Sequence, residues 1–374
     1  MQLRDLQKQY AALQPQIDEA VSNVISSGSF IMGSTVAQFE QQLAQYVGID
    51  HCVTCASGTD ALRLALMVWG IGPGDAVFVP DFTFFASAEV IALQGATPIF
   101  VDVNPDTYNI DIVDLEQKIQ KAILDQKLKP RVILSVDLFG QPADYLQIRE
   151  LADIYELYIL EDGAQGFGGT IWKEHACSFG DISTTSFFPA KPLGCYGDGG
   201  AFFTRNPEWA AIAQSLIQHG RGITKYENVR MGLNSRLDAI QAAILNVKLD
   251  AFPKEYERVN EIAKRYTKAL SSIVKTPVVL ENHTSSWAQY TIQLADEAQR
   301  KALQEALSAK NIPSAIYYPN PLHKQPAFEY LQLGEDICPV ATKLCSTVLS
   351  LPMHPYLTDE DVDLVIDTVK SSIK

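Results

Sequence analysis

The first two-thirds of the chain alternate short apolar runs with helix-period stretches, and this alternation restricts the fold more than any other feature of the sequence. Apolar runs recur at 52–56, 76–80, 98–102, 131–136 and 157–161, separated by amphipathic stretches at 59–69, 85–94, 112–126 and 144–155. A short apolar run bounded by turns reads as a strand buried on both faces, because two-sided burial removes the polar alternation of a half-exposed strand. Parallel neighbours need a crossover of a dozen or more residues, and each gap here holds a helix. The expected fold is therefore α/β, with a mostly parallel central sheet covered on both faces. Ligands of such sheets sit beyond the C-terminal strand ends. Two helices are expected ahead of the sheet, at 15–27 and 35–46, the first starting near Pro15.

After about residue 205 the pattern changes. Helical stretches at 207–218 and 235–248 lead into a long charged helix near 250–272. Strands at 276–280, 287–293 and 313–318 then mix with helices at 295–309 and 358–372. At 374 residues the chain is too long for one ordinary core. The expected division is a large domain over 1–248 and a smaller C-terminal α+β domain over 249–374.

Charge excludes some functions. Lys and Arg number 30 against 44 Asp and Glu, a net charge of −14. Nucleic acid and anionic membrane both need a basic face, so neither is an expected partner. No run approaches the roughly 18 apolar residues of a membrane span, and Met1–Leu6 has no apolar signal core. A cytoplasmic location is expected. The cysteines have no framework spacing, in keeping with a reducing compartment. Cys52 and Cys55 form a C-x-x-C that reads either as half a zinc site or redox pair, or as a buried strand with cysteine as a small apolar residue. No second such pair exists and the histidines are dispersed, so no metal is expected.

Three segments carry chemistry. Ser57-Gly58-Thr59 lies between a strand and a helix: it is either a phosphate cradle, in which Gly58 lets a ligand approach the backbone, or an ordinary N-cap. Asp162 ends the apolar run Leu157–Glu161, where such sheets place ligands, though an acidic strand end also serves as a helix cap. Lys191 sits in the apolar, proline- and glycine-rich turn Phe187-Phe188-Pro189-Ala190-Lys191-Pro192-Leu193-Gly194. A lysine short of polar neighbours has a depressed pKa, and its neutral amine can attack a carbonyl to form a Schiff base. The bland reading is a lysine snorkelling at a loop edge.

These pieces occur in an order that resembles the DegT/DnrJ/EryC1/StrS family of sugar aminotransferases. The resemblance runs along essentially the whole chain. It rests on Ser27–Gly33 with Phe39-Glu40, Ala56–Leu62, Pro80–Ser87, Glu161–Gln165, the lysine turn and Asn234-Ser235-Arg236-Leu237-Asp238. It implies an aspartate aminotransferase-type, fold type I large domain and the cofactor pyridoxal 5′-phosphate (PLP), with its pyridoxamine form as the amino carrier. Lys191 would bear the cofactor as a Schiff base and shuttle the proton. Asp162 would pair with the pyridine nitrogen and keep it protonated. Phe84 matches the position that stacks on the ring, though alone it reads equally as core. Gln165 matches the one near the phenolic oxygen, and Gly58, Thr59 and Ser186 match phosphate-binding positions. Asn234 matches a residue that reaches the phosphate from a neighbouring subunit, which implies a homodimer with shared sites.

Relatives with histidine at the lysine position perform dehydration, so Lys191 implies amino transfer, with L-glutamate as donor and 2-oxoglutarate as its product. The lysine turn, Tyr318–Pro326 and Leu351–Pro355 are most similar to the subgroup that aminates C3 of a UDP-linked 2-acetamido-3-keto hexuronic acid. Such aminated sugars belong to bacterial surface polysaccharides, O-antigen among them. Arg236 would pair with the sugar carboxylate. Tyr317 and His323 stand where the subgroup often has histidine and a polar amide, and both are expected to touch substrate. Amination at C4 of a UDP- or dTDP-linked 4-keto-6-deoxy sugar is the alternative. A non-catalytic PLP-binding regulator is a third reading, but the chain has no basic helix-turn-helix extension. A nucleotide-binding protein without PLP would leave Lys191 and Asp162 unused, and no P-loop or G-x-G-x-x-G follows the first strand.

Overall fold

The structure is a computed structural model and describes residues 1–224 and 226–373. Helix α1 (Leu6–Ser27) opens on Asp5, whose side chain accepts from the Lys8 N–H, and ends at Gly28 in the left-handed conformation. It starts well ahead of Pro15, which lies inside it, because the Asp5 cap and the buried face of Gln9, Ile17 and Val24 set its extent. Helix α2 (Ser34–Val47) follows and buries Phe39 and Leu43.

Seven strands form the central sheet: β1 (His51–Cys55), β2 (Asp75–Pro80), β3 (Thr97–Val101), β4 (Lys129–Val136), β5 (Tyr158–Asp162), β6 (Ile182–Ser186) and β7 (Gly200–Thr204), in the order β1-β7-β6-β5-β4-β2-β3. β7 runs antiparallel to both neighbours and the remaining pairs are parallel. The crossovers are α3 (Gly58–Val68), α4 (Ala86–Leu93), α5 (Ile112–Asp125) and α6 (Tyr145–Tyr155), with α7 (Pro207–Leu216) after β7. Apolar cores fill both faces, one around Leu64, Val77 and Leu134 and the other around Phe78, Ile133 and Ile148. The mostly parallel sheet is as expected; two strands were not among those expected, β6 for want of an apolar run and β7 despite Ala201, Phe202 and Phe203.

Helix α8 (Ala239–Leu270) is one continuous helix with Pro253 inside it, where two successive stretches were expected. Its first half packs with Phe39, Phe187 and Phe203, and its second half with a separate core that includes Leu303, Leu349 and Val365. That second core draws on β8 (Tyr290–Gln293), α9 (Glu297–Ala309), α10 (Pro339–Thr347), β9 (Val348–Leu351) and α11 (Asp359–Ser372), with β8 and β9 antiparallel. We propose that the large and small domains divide within α8, where one core gives way to the other. Residues 276–280 are not a strand: Val278 and Val279 stay partly exposed with no partner strand beyond the bridge at Lys275. The stretch 313–318 contributes one bridge, Ala315 to Ser350, and no more. Among the described residues, no helix is long and apolar enough to cross a membrane.

Candidate active site

The C-terminal ends of β1, β2, β5 and β6 converge on a cavity of about 620 Å³. Its lining brings together Gly58, Thr59, Phe84, Asp162, Gln165, Ser186, Lys191 and Tyr317, eight positions singled out in the sequence from segments far apart. The convergence follows from the sheet: parallel strands end on one side, so the residues after each strand meet there.

Helix α3 presents its N-terminus to the cavity. The Ser57 hydroxyl accepts from the Asp60 N–H and caps the helix, while Gly58 and Thr59 line the opening. A Cβ on Gly58 would stand 2.5 Å from the Cβ of Ser186, so only glycine lets the helix start this close to the end of β6. The sequence offered a phosphate cradle or a plain cap, and this turn has the attributes of both.

Asp162 is buried at the end of β5. The Ser87 hydroxyl donates to its Oδ2 at 2.9 Å and the Ala164 N–H to its Oδ1 at 3.2 Å. Burial raises its pKa above the usual carboxylate range, opposed by the charge of Lys191 and the bond from Ser87. Lys191 shows the converse: burial lowers its pKa from the ordinary lysine value, Asp162 pulls it back up and Arg4 pushes it further down. A desolvated amine and a carboxylate thus face one cavity and feel each other's charge.

Gln165 is held on three sides. Its Oε1 accepts from the Phe139 N–H at 2.7 Å, its Nε2 donates to the Tyr318 hydroxyl at 3.2 Å, and its carbonyl accepts from the Ser286 hydroxyl. Phe84 is 53% exposed at the cavity wall, an aromatic face open to a ligand rather than a core residue. An amine, a carboxylate, a helix N-terminus with hydroxyls and an open aromatic wall are what a phosphorylated pyridine aldehyde requires, so these residues fit that cofactor.

Three other positions lie outside the lining. His323 is buried against Asp81, its Nδ1 bonded to Oδ2 at 2.6 Å and its backbone N–H donating to Oδ1 at 2.7 Å. Its Nε2 faces the Glu335 carbonyl at 3.2 Å, so both ring nitrogens meet acceptors and the ring is suited to an imidazolium. Burial opposes that charge, but Asp81 outweighs it and the His323 pKa is raised. His323 thus ties the 319–325 segment to the end of β2, and its expected contact with substrate stands as a proposal. Cys338 lies beside this pair, bringing three metal-ligating atoms within 4.8 Å of one another.

Asn234 and Arg236 bond each other and also lie outside the cavity lining. Ser235 between them is buried: its hydroxyl donates to Asp60 at 2.6 Å and accepts from the Ala56 N–H at 3.1 Å. The segment is thus anchored beneath the start of α3. Sequence reasoning assigned no role to Ser87, Tyr318, Asp198, Gln289, Asn320 or Gln325, of which all but Ser87 line the cavity. Ser87 and Tyr318 lay within stretches already singled out, and the four-residue helical spacing of Thr83 and Ser87 was the available signal for the former.

The sequence profile of the DegT/DnrJ/EryC1/StrS aminotransferase family matches residues 12–370. The chain is 40% identical over 366 residues to UDP-2-acetamido-2-deoxy-3-oxo-D-glucuronate aminotransferase of Pseudomonas aeruginosa, covering 96% of this chain and 97% of the relative. It superposes with a TM-score of 0.97 and 47% identity on the crystal structure of a DegT DnrJ EryC1 StrS aminotransferase from Brucella abortus, covering 99% of each chain. It is also similar to NtdA of Bacillus subtilis with bound cofactor PMP, at a TM-score of 0.88 and 29% identity, over 99% of this chain and 83% of that one.

Proposed function

The chain belongs to the DegT/DnrJ/EryC1/StrS aminotransferase family, and from that premise we propose which sugar it aminates and which residues do the work. It is a sugar aminotransferase of fold type I that uses PLP and acts on nucleotide-linked keto sugars. Our reading of the substrate is UDP-2-acetamido-2-deoxy-3-keto-glucuronic acid, aminated at C3 with L-glutamate as donor, for bacterial surface polysaccharide such as O-antigen. The observation that carries the reaction is the meeting of Lys191 and Asp162 in one cavity.

When bound, PLP supplies an electron sink that makes the carbon bearing the amino group acidic. Lys191 would hold the cofactor through its amine and would take and return a proton at the reacting carbon of the substrate. Its desolvation keeps a fraction of the amine neutral for that work. Asp162 holds a proton at the pyridine nitrogen, with Ser87 and Ala164 fixing the carboxylate for it. The start of α3, Thr59 and Ser186 bind the phosphate, Phe84 covers the ring, and Gln165 lies by the phenolic oxygen. Tyr317 lines the sugar side of the cavity.

We further propose a cytoplasmic homodimer with shared sites. Arg236 would pair with the hexuronate carboxylate of the neighbouring site and Asn234 with its phosphate. Ser235 anchors the segment while its two neighbours stay free of the chain's own cavity. Ile223 and Met231, in the run that leads to Asn234, are 97% and 91% exposed, an apolar surface for a second copy to cover.

The test of the substrate is mass spectrometry of the pyridoxamine-loaded enzyme with a panel of UDP- and dTDP-linked 3-keto and 4-keto sugars. Amination of the 3-keto hexuronate is the expected result. An unchanged hexuronate beside an aminated 4-keto sugar overturns it. The test of the lysine is a visible Schiff-base band that borohydride removes.

A further inference from the structure

Behind the turn that carries Lys191, two cations grip its backbone. The Arg4 guanidinium donates through Nη2 to the carbonyl of Pro192 at 3.0 Å. The Lys248 ammonium, on α8, donates to the carbonyl of Gly194 at 2.6 Å and lies 4.2 Å from the centroid of the Tyr196 ring. The turn is closed on its own side by the Lys191 N–H to Phe188 and the Cys195 N–H to Phe187. Gly194 cannot be replaced there, because a Cβ would stand 2.5 Å from the Pro189 carbonyl and 2.7 Å from that of Phe188. Arg4, near the start of the chain, and Lys248, on α8, lie 188 and 54 residues from the carbonyls they hold, and neither lines the cavity.

We propose that Arg4 and Lys248 are positioning residues for Lys191, both holding its turn from behind, with the positive charge of Arg4 keeping its amine reactive. The proposal rests on the reading of Lys191 as the cofactor-bearing amine. Arg4, in the arm ahead of α1, would thereby couple the start of the chain to the reacting group.

Charge accounting supports this. Glu255 faces both cations, accepting from Gln9 at 3.0 Å and from the Tyr356 hydroxyl at 2.5 Å. Glu255 thus sets one carboxylate against the two cations, with Asp198 on the turn and Asp162 in the cavity as further negative charges. Burial lowers the pKa of Lys248 to about 8 and that of Arg4 to about 10; Arg4 lowers that of Lys248 further, while Glu255 raises both and Tyr356 raises that of Arg4. At neutral pH both stay charged. Around Lys191 itself, burial and the charge of Arg4 act in one direction and Asp162 in the other. Nearby positive charge favours the neutral amine of a lysine, as nearby negative charge opposes it. Lys248 is itself influenced by Cys195, and Asp198 acts on Cys195, so these are the other titratable groups on the turn.

The test measures the amine directly, in the cofactor-free full-length protein, by its rate of labelling with acetic anhydride across pH 6 to 10, followed at Lys191 by peptide mass spectrometry. Arg4→Gln keeps a donor for the Pro192 carbonyl and removes the charge; Arg4→Lys keeps the charge. In Arg4→Gln, labelling at pH 8 falls by roughly threefold or more, and Arg4→Lys restores it. Lys248→Gln, which weakens the hold on the Gly194 carbonyl, loosens the turn and lowers labelling too, and stands in should the arm variant not fold. Unchanged labelling in folded Arg4→Gln overturns the proposal. So does an equal fall in Arg4→Gln and Arg4→Lys, which would make the effect one of shape rather than charge. The reading of Lys191 fails separately, by the absence of a borohydride-reducible adduct with PLP in the unsubstituted protein.

Discussion

The Ser87 hydroxyl donates to Oδ2 of Asp162 at 2.9 Å with both residues out of solvent. Ser87 comes from the first turn of α4 and Asp162 from the end of β5, so the bond crosses from a covering helix to the sheet. Thr83 lies 3.4 Å from the same hydroxyl. A hydrogen bond to the charged form stabilises a carboxylate, and here it opposes the burial that favours the acid.

Ser87→Ala removes that bond and leaves Asp162 as buried as before. Its pKa rises, and the carboxylate pairs less well with a protonated pyridine nitrogen. The expected result is a kcat about tenfold lower, corresponding to about 1.4 kcal/mol, with the KM for glutamate little changed. The cofactor absorbance should titrate differently from that of the unsubstituted enzyme. Steady-state kinetics and a pH series of spectra check both, and an unaltered kcat removes Ser87 from the mechanism.

Gly58→Ala places a Cβ 2.5 Å from that of Ser186, where neither backbone can retreat without moving β6 or α3. The helix start shifts away from the phosphate position. Cofactor affinity should fall by about tenfold or more while the fold survives, since the clash is confined to the cradle. Fluorescence titration of apoprotein with PLP measures the affinity, and circular dichroism checks the fold.

The sheet was readable where both faces are apolar. Ala76–Pro80 and Val132–Val136 are buried throughout and bear few polar side chains. Ile182–Ser186 is buried almost as deeply yet carries Ser183, Thr184 and Thr185, whose hydroxyls donate to Glu161 Oε2, the Glu161 carbonyl and the Gly163 carbonyl. A strand whose polar groups are satisfied by tertiary partners has no local signature. The error at 276–280 is the reverse case, an apolar run with no neighbour to pair it. At the site, residues from contiguous motifs were legible, while the contact of Arg4 with the lysine turn spans most of the large domain and no periodicity reports it. The tie of His323 to Asp81 was not legible because the two lie more than two hundred residues apart.

Asp137 and Glu161 form a buried carboxyl pair under the site. Glu161 accepts from the N–H groups of Cys177, Phe179 and Gly180 and from the Ser183 hydroxyl. Asp137 accepts from Ala143 and Tyr145 at Oδ1, and its Oδ2 accepts nothing. Burial first, and then the charge of Glu161, push the Asp137 pKa well up. Glu161, which accepts four hydrogen bonds against two for Asp137, is the ionised partner and Asp137 holds the proton. Because the folded pKa lies above the unfolded one, stability is full below the ordinary carboxylate range and falls as pH rises through the raised value, by up to about 1.4 kcal/mol per pH unit. Asp137→Asn mimics the protonated acid and should flatten that dependence. Urea unfolding between pH 5 and pH 9 checks this, and parallel curves for the two proteins refute the shared-proton assignment.

If Asn234 and Arg236 complete a neighbouring site, two separately inactive proteins should rescue each other. Lys191→Ala removes the amine from a subunit's own cavity, and Asn234→Asp sets a carboxylate against the phosphate of the neighbour's. Each variant alone should lose at least about a thousandfold and a substantial fraction of its activity, respectively. After random mixing, half the dimers carry one subunit of each kind. In those, both defects fall on one site and the other site is intact, so activity returns to about one quarter of the unsubstituted level. The measurement is amino transfer from glutamate after co-refolding or co-expression at equal amounts. Activity no higher than the mean of the two separate proteins would show that each chain builds its site alone, and the Asn234 and Arg236 side chains would then need another partner.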